Sequence, residues 1–296
     1  MSRRTSPSTH RPYGIARVLR VWDLSRSTFY AQRARRAHPA SGRRGRTPTL
    51  DDAALLAQIR AVIAESPFHG EGHRKIWARL RALKGVRTSM RRVLRVLREA
   101  ELLAPARQPE PVVERPHDGT IVTERPNVMW GTDATAAVTI REGSATIFAA
   151  IDHCTAECVG IHAAAHGDRF EALEPVRQGV RDHFGLLRPA IAHGLALRHD
   201  HGSVYLSADF QSEIAFLGMT SSPAFVRQPE GNGCIERFFR TLKEQLLWVR
   251  HFATIEELRQ ALLAFKETYN REWLLARLGY RSPAQVRQAF ALTPAA

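Results

Sequence analysis

Apolar residues over the first hundred positions recur at helical spacing. Ile15, Val18, Leu19 and Trp22 mark one short helix; Asp23-Leu24 then breaks the pattern, and Ser25 can cap a second helix carrying Ser27, Phe29 and Tyr30. Residues 37–50 read as a basic linker, and Thr49-Leu50-Asp51-Asp52 caps a helix through about Ala64 with Leu55, Leu56, Ile59 and Ile63 on one face. After Ser66-Pro67, a stripe of Ile76, Trp77, Leu80 and Leu83 predicts another helix. Val86-Arg87-Thr88-Ser89 turns into one more, with Met90, Val93, Leu94 and Leu97 inside. Pro105, Pro109, Pro111, Pro116 and Pro126 then predict an extended linker and a domain boundary.

From Val128 the period changes. Val128–Asp133 reads as a strand, followed by Ala137–Ile140, a turn at Arg141–Ser144, Ala145–Ile151, and a third strand at about Cys158–Ala163, as in an antiparallel meander. Asp168 caps a helix with Phe170, Leu173, Val176, Val180 and Phe184 inside, stopped by Gly185. Gly194–Arg198 is a short buried strand ending at His199-Asp200-His201-Gly202, and Ser207 opens a helix ended by Gly218. A short strand near Ala224–Val226, the loop Gln228–Gly233 and a long helix to about Arg250 complete a mixed α/β sheet.

Charge sharpens this division. Residues 1–110 hold 24 lysines and arginines against 8 acids, whereas residues 111–296 hold 19 against 21. All the excess positive charge of the 296-residue chain lies in its first third, which predicts a polyanion-binding region attached to a near-neutral body. Arg91, Arg92, Arg95 and Arg98 run opposite the apolar stripe of their helix, the arrangement a phosphate-tracking helix needs, since each neutralised phosphate releases counterions. Three cysteines make no disulfide framework, and no apolar run approaches the ~18 residues that cross a bilayer, so a cytoplasmic, nucleoid-associated protein away from the membrane is expected.

Three carboxylates occupy strand ends and a helix start: Asp133, Asp200 and Glu236. Hard oxygen ligands of this kind suit Mg²⁺ or Mn²⁺, and two such ions ~3.5–4 Å apart can serve the attacking and leaving oxygens of a phosphoryl displacement. Other sets fit metals poorly. His69 and His73 flank a glutamate that is not adjacent to the first histidine, in a glycine-weakened segment. On one helix, Cys154, Cys158, His162 and His166 would span ~18 Å, too far for one tetrahedral ion. His199 and His201 fall on the face opposite Asp200, against a His/Asp metallophosphoesterase.

The segments Trp130-Gly131-Thr132-Asp133, His199–Tyr205 and Pro229–Phe239 resemble the three catalytic blocks of DDE transposases, most of all the OrfB-type transposases of bacterial insertion sequences, relatives of retroviral integrases. Thirty-five residues lie between Asp200 and Glu236, the spacing of that group. His69–Leu103 resembles the family's helix-turn-helix segment, and Tyr269–Trp273 with Gly279–Pro283 its C-terminal block. Departures occur at His199-Asp200, where the family often has an intervening Ser, at Gly231-Asn232 in place of Asp-Asn, and at Trp273-Leu274-Leu275 in place of Arg-Pro-His. None removes a carboxylate; subgroup and DNA specificity are what they touch.

The resemblance implies an RNase H-like core with a mixed five-stranded sheet at residues 128–250, preceded by helical DNA-binding units at 1–45 and 50–104 and a linker at 105–127, and followed by a helical extension at 251–296. It implies that Asp133, Asp200 and Glu236 bind two Mg²⁺ (or Mn²⁺) ions for nicking at element ends and strand transfer to target DNA. Arg240 and Lys243, at i+4 and i+7 from Glu236, would hold the strand beside the metals. Arg26, Arg91, Arg92, Arg95 and Asn232 complete the expected DNA contacts. The expected partners are the terminal inverted repeats and target DNA, further copies of the chain, and an upstream reading-frame protein of the same element. A metal-dependent nuclease without joining and a repeat-binding regulator without chemistry are the alternative readings.

Overall fold

A computed structural model describes residues 3–37, 50–104, 121, 123–224 and 232–292. The chain divides into two compact units, Met1–Asp51 and Asp52–Ala296. Most of the proline-rich stretch and the loop before Gly233 lie outside the described residues.

In the first unit, helix α1 (Gly14–Val21) and helix α2 (Arg26–Ala37) follow the apolar pattern. Asp23 takes a left-handed φ of 51°, Leu24 N donates to the Leu19 carbonyl at 2.9 Å, and Ser25 Oγ accepts from Thr28 N at 3.1 Å. These are the stop and cap that the Asp-Leu-Ser sequence encodes. Leu19 is the one buried apolar side chain among the unit's described residues, while Val21, Trp22 and Leu24 are exposed.

The second unit opens with α3 (Asp52–Glu65), α4 (His73–Leu83) and α5 (Met90–Glu99). Leu55, Ile59, Val62, Ile76, Leu80, Val93 and Leu97 are buried. Ile63 and Leu83, expected inside, face solvent. On α3 the buried row runs 55, 59, 62, so Val62 takes the core position one residue earlier.

The five strands are β1 (Met129–Thr139), β2 (Gly143–Asp152), β3 (Cys158–Ala164), β4 (Ala196–His199) and β5 (Thr220–Pro223), in the order β3-β2-β1-β4-β5. The first three form an antiparallel meander; β4 and β5 run parallel to β1. Between them lie α6 (Arg169–Phe184), α7 (Ser203–Leu206) and α8 (Ala208–Phe216). After them come α9 (Gly233–Leu242), a π-helical turn at Lys243–Leu247, α10 (Ile255–Glu272) and α11 (Pro283–Leu292).

Alternation along the strands gives the sheet two apolar faces. Trp130, Phe148 and Ala150 pack with Val176, Val180, Leu197 and Phe210 on one face. Ile147, Ala149 and Ile151 pack with Ile235, Phe238, Leu258 and Leu262 on the other. Both outer edges are guarded. Asn270 of α10 covers the Cys158 amide and carbonyl at 2.8 and 2.9 Å, Gln178 accepts from Ile161 N at 3.0 Å, and Arg259 Nε donates to the Ala163 carbonyl at 2.6 Å. At the opposite edge, β5 has four residues and ends in Pro223.

Several local expectations shift. The two pieces read as 128–133 and 137–140 are one strand, because Ala134–Ala137 is small enough to continue the ladder beside Ala145–Phe148. A strand lies at Thr220–Pro223, directly after the Gly218 turn, and the expected strand near Ala224–Val226 lies, beyond Ala224, outside the described residues. Phe170, expected inside α6, is exposed in the first turn of the helix, where Asp168 Oδ1 accepts from Phe170 N and Glu171 N at 2.8 and 3.0 Å. Among the described residues, no helix is long and apolar enough to cross a membrane.

Candidate active site

The parallel register aligns Gly131 of β1 with Arg198 of β4. Asp133 stands two residues further along β1, and Asp200 two residues past Arg198, just beyond the end of β4. Asp133 is therefore within β1, not at its end, but at the level where β4 stops. Its antiparallel partner is Ala149, which belongs to the apolar face covered by α9. Glu236 sits in the first turn of that helix, exposed, between the buried Ile235 and Phe238.

Asp133 lies in the field of the other two acids. Burial foremost, with the Asp200 and Glu236 carboxylates adding to it and the Ala134 amide and Lys243 opposing, pushes the Asp133 carboxyl up to about 6. Asp133 Oδ1 accepts from Ala134 N at 2.8 Å, and Asp200 Oδ1 accepts from Gly202 N at 2.8 Å. Among the described residues, no three histidine, cysteine or acidic side chains stand together closely enough to hold a metal ion. Two of the carboxylates, Asp133 and Asp200, are engaged by backbone amides. The donor set itself, oxygen-only and acidic, is that of a hard divalent cation.

Buried polar groups fix the frame. His199 is fully buried beside Tyr205; its ring nitrogens lie 2.6 Å from the Asp200 carbonyl and 2.9 Å from Ser221 Oγ. Burial lowers its pKa, so the ring is neutral: Nδ1–H donates to the carbonyl and Nε2 accepts from the serine hydroxyl. The end of β4 is thereby tied to β5. His201 points into solvent.

Asn232 is 6% exposed, and its Nδ2 donates to the Thr132 carbonyl at 3.2 Å. The residue expected to touch DNA is instead an inward strut between β1 and the start of α9. It reaches that position because Gly131 has no side chain: a Cβ there would lie 2.7 Å from Asn232 Oδ1 and 2.8 Å from His153 Nε2. His153, which the sequence reading overlooked, sits with its Nδ1 3.0 Å from the Ile121 carbonyl. Arg277 donates to the carbonyls of His153 and Cys154 at 3.3 Å each, so the C-terminal extension buttresses the same corner.

The expected basic contacts divide. Arg26 is exposed at the start of α2, and Arg91 is exposed on α5 together with Arg98. Arg92 and Arg95 instead grip Asp52 at the start of α3, each at 2.7 Å, and Arg95 also pairs with Glu99 at 2.9 Å. An acid at the head of one helix has taken two arginines of another, a pairing that the arginine stripe alone does not reveal. Arg240 is half exposed beside Glu244, and Lys243 opens the π turn, close enough to Asp133 to lower its pKa.

Comparisons with known proteins bear on this arrangement. The Integrase core domain family matches residues 217–283, which include Glu236, and the HTH-like domain family matches residues 49–110. The transposase InsD of insertion element IS2 from Escherichia coli is 29% identical over 286 residues, covering 93% of this chain and 91% of that protein. A 48.2 kDa uncharacterized protein of insertion element IS2A from Escherichia coli is 28% identical over 291 residues; the chain spans 66% of its length. In structure, the chain is similar to one in the simian T-cell lymphotropic virus intasome in complex with PP2A regulatory subunit B56 gamma, with a TM-score of 0.50 and 17% identity over 83% of this chain and 77% of that one.

Proposed function

We propose that the chain is an insertion-sequence transposase carrying an integrase core, similar as it is to the Integrase core domain family and to transposase InsD, and that Asp133, Asp200 and Glu236 form one metal-dependent centre for cutting and joining DNA strands. The observation that carries this reading is the effect of Asp200 and Glu236 on Asp133: three acids from β1, the end of β4 and α9 share one field. Such a set is costly without cations.

The three carboxylates would hold divalent cations, Mg²⁺ or Mn²⁺, in a two-ion arrangement. When bound, such cations supply Lewis acidity to the attacking and leaving oxygens of a phosphodiester displacement. The chain's own residues hold and orient. The Ala134 amide fixes Asp133, the Gly202 amide fixes Asp200, and the Asn232 strut sets the start of the helix that bears Glu236. Arg240 and Lys243 line the same helix as cations for the strand backbone, while Arg91 and Arg26 offer phosphate contacts on their own helices.

In the first step a water oxygen attacks phosphorus, the P–O3′ bond breaks, and a 3′-OH is released. In the second, that 3′-OH attacks a target phosphodiester and displaces a target 3′-OH. Each step makes one P–O bond and breaks one, so no covalent enzyme intermediate is needed. Joining two ends to one target requires more than one copy of the chain on the DNA.

The test is incubation with Mg²⁺, a duplex carrying the end of the encoding element and a supercoiled target. Joined products are the expected result. Nicks without joined products would assign a nuclease, and binding without chemistry would assign a regulator of the repeats.

A further inference from the structure

We infer that Gln245 is a positioning residue that locks the helical unit α3–α5 to the helix bearing Glu236, so that the distance between the DNA bound by one and the bond cut by the other is fixed. The inference rests on the reading of this chain as a DNA-cutting transposase.

Gln245 lies in the π turn that extends α9. Its side-chain oxygen accepts from His69 N at 2.8 Å, and its amide donates to the His69 carbonyl at 3.0 Å, a reciprocal pair across 176 positions of sequence. His69 belongs to the segment that leads into α4. The π turn closes with Trp248 N on the Lys243 carbonyl at 2.9 Å and inserts one residue into the helix, re-aiming the side chains within it. A helix pays for such an irregularity only where something holds it, and here the His69 backbone does.

Other ties run the same way. Phe68 is buried in the core cluster of the catalytic sheet and meets the Trp273 ring edge-on at 4.7 Å. Glu71, almost wholly buried, pairs with Arg79 at 2.6 Å and accepts from Ser66 Oγ at 2.9 Å; Arg79 in turn donates to the Glu272 carbonyl at the end of α10 at 3.2 Å. Trp77 meets Tyr280 edge-on at 5.8 Å. The apolar and Arg79 contacts dock the helical unit on the C-terminal extension. Phe68 shares its cluster with apolar residues of α9, and the Gln245 pair adds a directional tie between the π turn and the backbone of the exposed His69.

Two variants of the full chain test this. Gln245→Ala removes both hydrogen bonds; Gln245→Glu keeps the acceptor but places a carboxylate against the His69 carbonyl. Nicks on a duplex carrying the element end are located at nucleotide resolution, with thermal melting and equilibrium binding of the same duplex measured beside them. The expected result is that wild type nicks at one phosphodiester, whereas both variants, still folded and binding the duplex, spread their nicks over neighbouring phosphodiesters. A merely structural Gln245 would lower melting temperature or total nicking and leave the position unmoved; that outcome overturns the inference while leaving the transposase reading intact. If wild type produces no metal-dependent nick, both fall together. Loss of melting in both variants assigns Gln245 to folding and also overturns it.

Discussion

Asp133 on β1 and Asp200 just past the end of β4 each lie two residues beyond the paired Gly131 and Arg198. Burial, with Asp200 and Glu236 adding to it, holds the Asp133 carboxyl at about 6 in the folded chain, against ~3.9 for an unfolded aspartate. Between those pH values the native state keeps a proton that the unfolded chain has released, so metal-free stability falls as pH rises from about 4 to 6 and stays lower above. Asp133→Asn removes that penalty, and its melting temperature should exceed that of wild type by more at pH 8 than at pH 4. Mg²⁺ should stabilise wild type above pH 6 more than below, because protons compete for the ligands, and should stabilise the variant less. Equal Mg²⁺ shifts in both proteins would contradict the assignment of Asp133 as a ligand.

Gly131 leaves room for the strut that sets the start of α9. A methyl group there meets Asn232 Oδ1 at 2.7 Å and His153 Nε2 at 2.8 Å, closer than side chains tolerate. Gly131→Ala should therefore destabilise the chain by ~1–3 kcal/mol and lower strand cleavage, since Asn232 must leave the Thr132 carbonyl. Chemical denaturation and a cleavage assay check the two effects separately. Full cleavage in the variant would mean that Asn232 does not set the helix that carries Glu236.

Asp52 draws Arg92 and Arg95 away from solvent. In Asp52→Ala both arginines become available to phosphates, and each new contact should steepen the salt dependence of DNA binding by about 0.9 in slope. Arg91→Ala should make that slope shallower by a similar amount. Binding titrations over a series of salt concentrations measure both; an unaltered slope in Asp52→Ala would assign Arg92 and Arg95 to structure alone.

Asn270 closes the free edge of β3 by satisfying both Cys158 backbone groups. Asn270→Ala leaves two buried polar groups unpaired at ~1–3 kcal/mol each and opens a strand edge to other chains. Lower stability together with concentration-dependent aggregation is expected, read by denaturation and light scattering. A soluble variant of unchanged stability would show that α10 shields the edge without this side chain.

Much of this architecture is legible in the sequence because its signals are local. Helical periodicity and the Asp168, Ser25 and Ser207 caps place α1–α6 and α8, and the spacing of Asp133, Asp200 and Glu236 marks the acids. What escapes is set by distant partners. Ala134–Ala137 carries no alternation, so the length of β1 depends on β2 to reveal it. An arginine stripe has the same pattern whether it meets phosphate or Asp52. Asn232 resembles a loop residue until the bare Gly131 shows where it fits, although a glycine within a strand is itself a sign of close approach. The His69–Gln245 pair spans 176 positions and leaves no periodic trace.

The most direct test of the central claim is cleavage by Asp133→Asn, Asp200→Asn and Glu236→Gln, each beside wild type, on the same element-end duplex with Mg²⁺ and with binding measured in parallel. One shared centre predicts that every variant binds the duplex and loses cleavage and joining by at least ~100-fold, the upper range seen even for outer-shell partners of metal ligands. Retention of near-wild-type cleavage by any one of the three would contradict it.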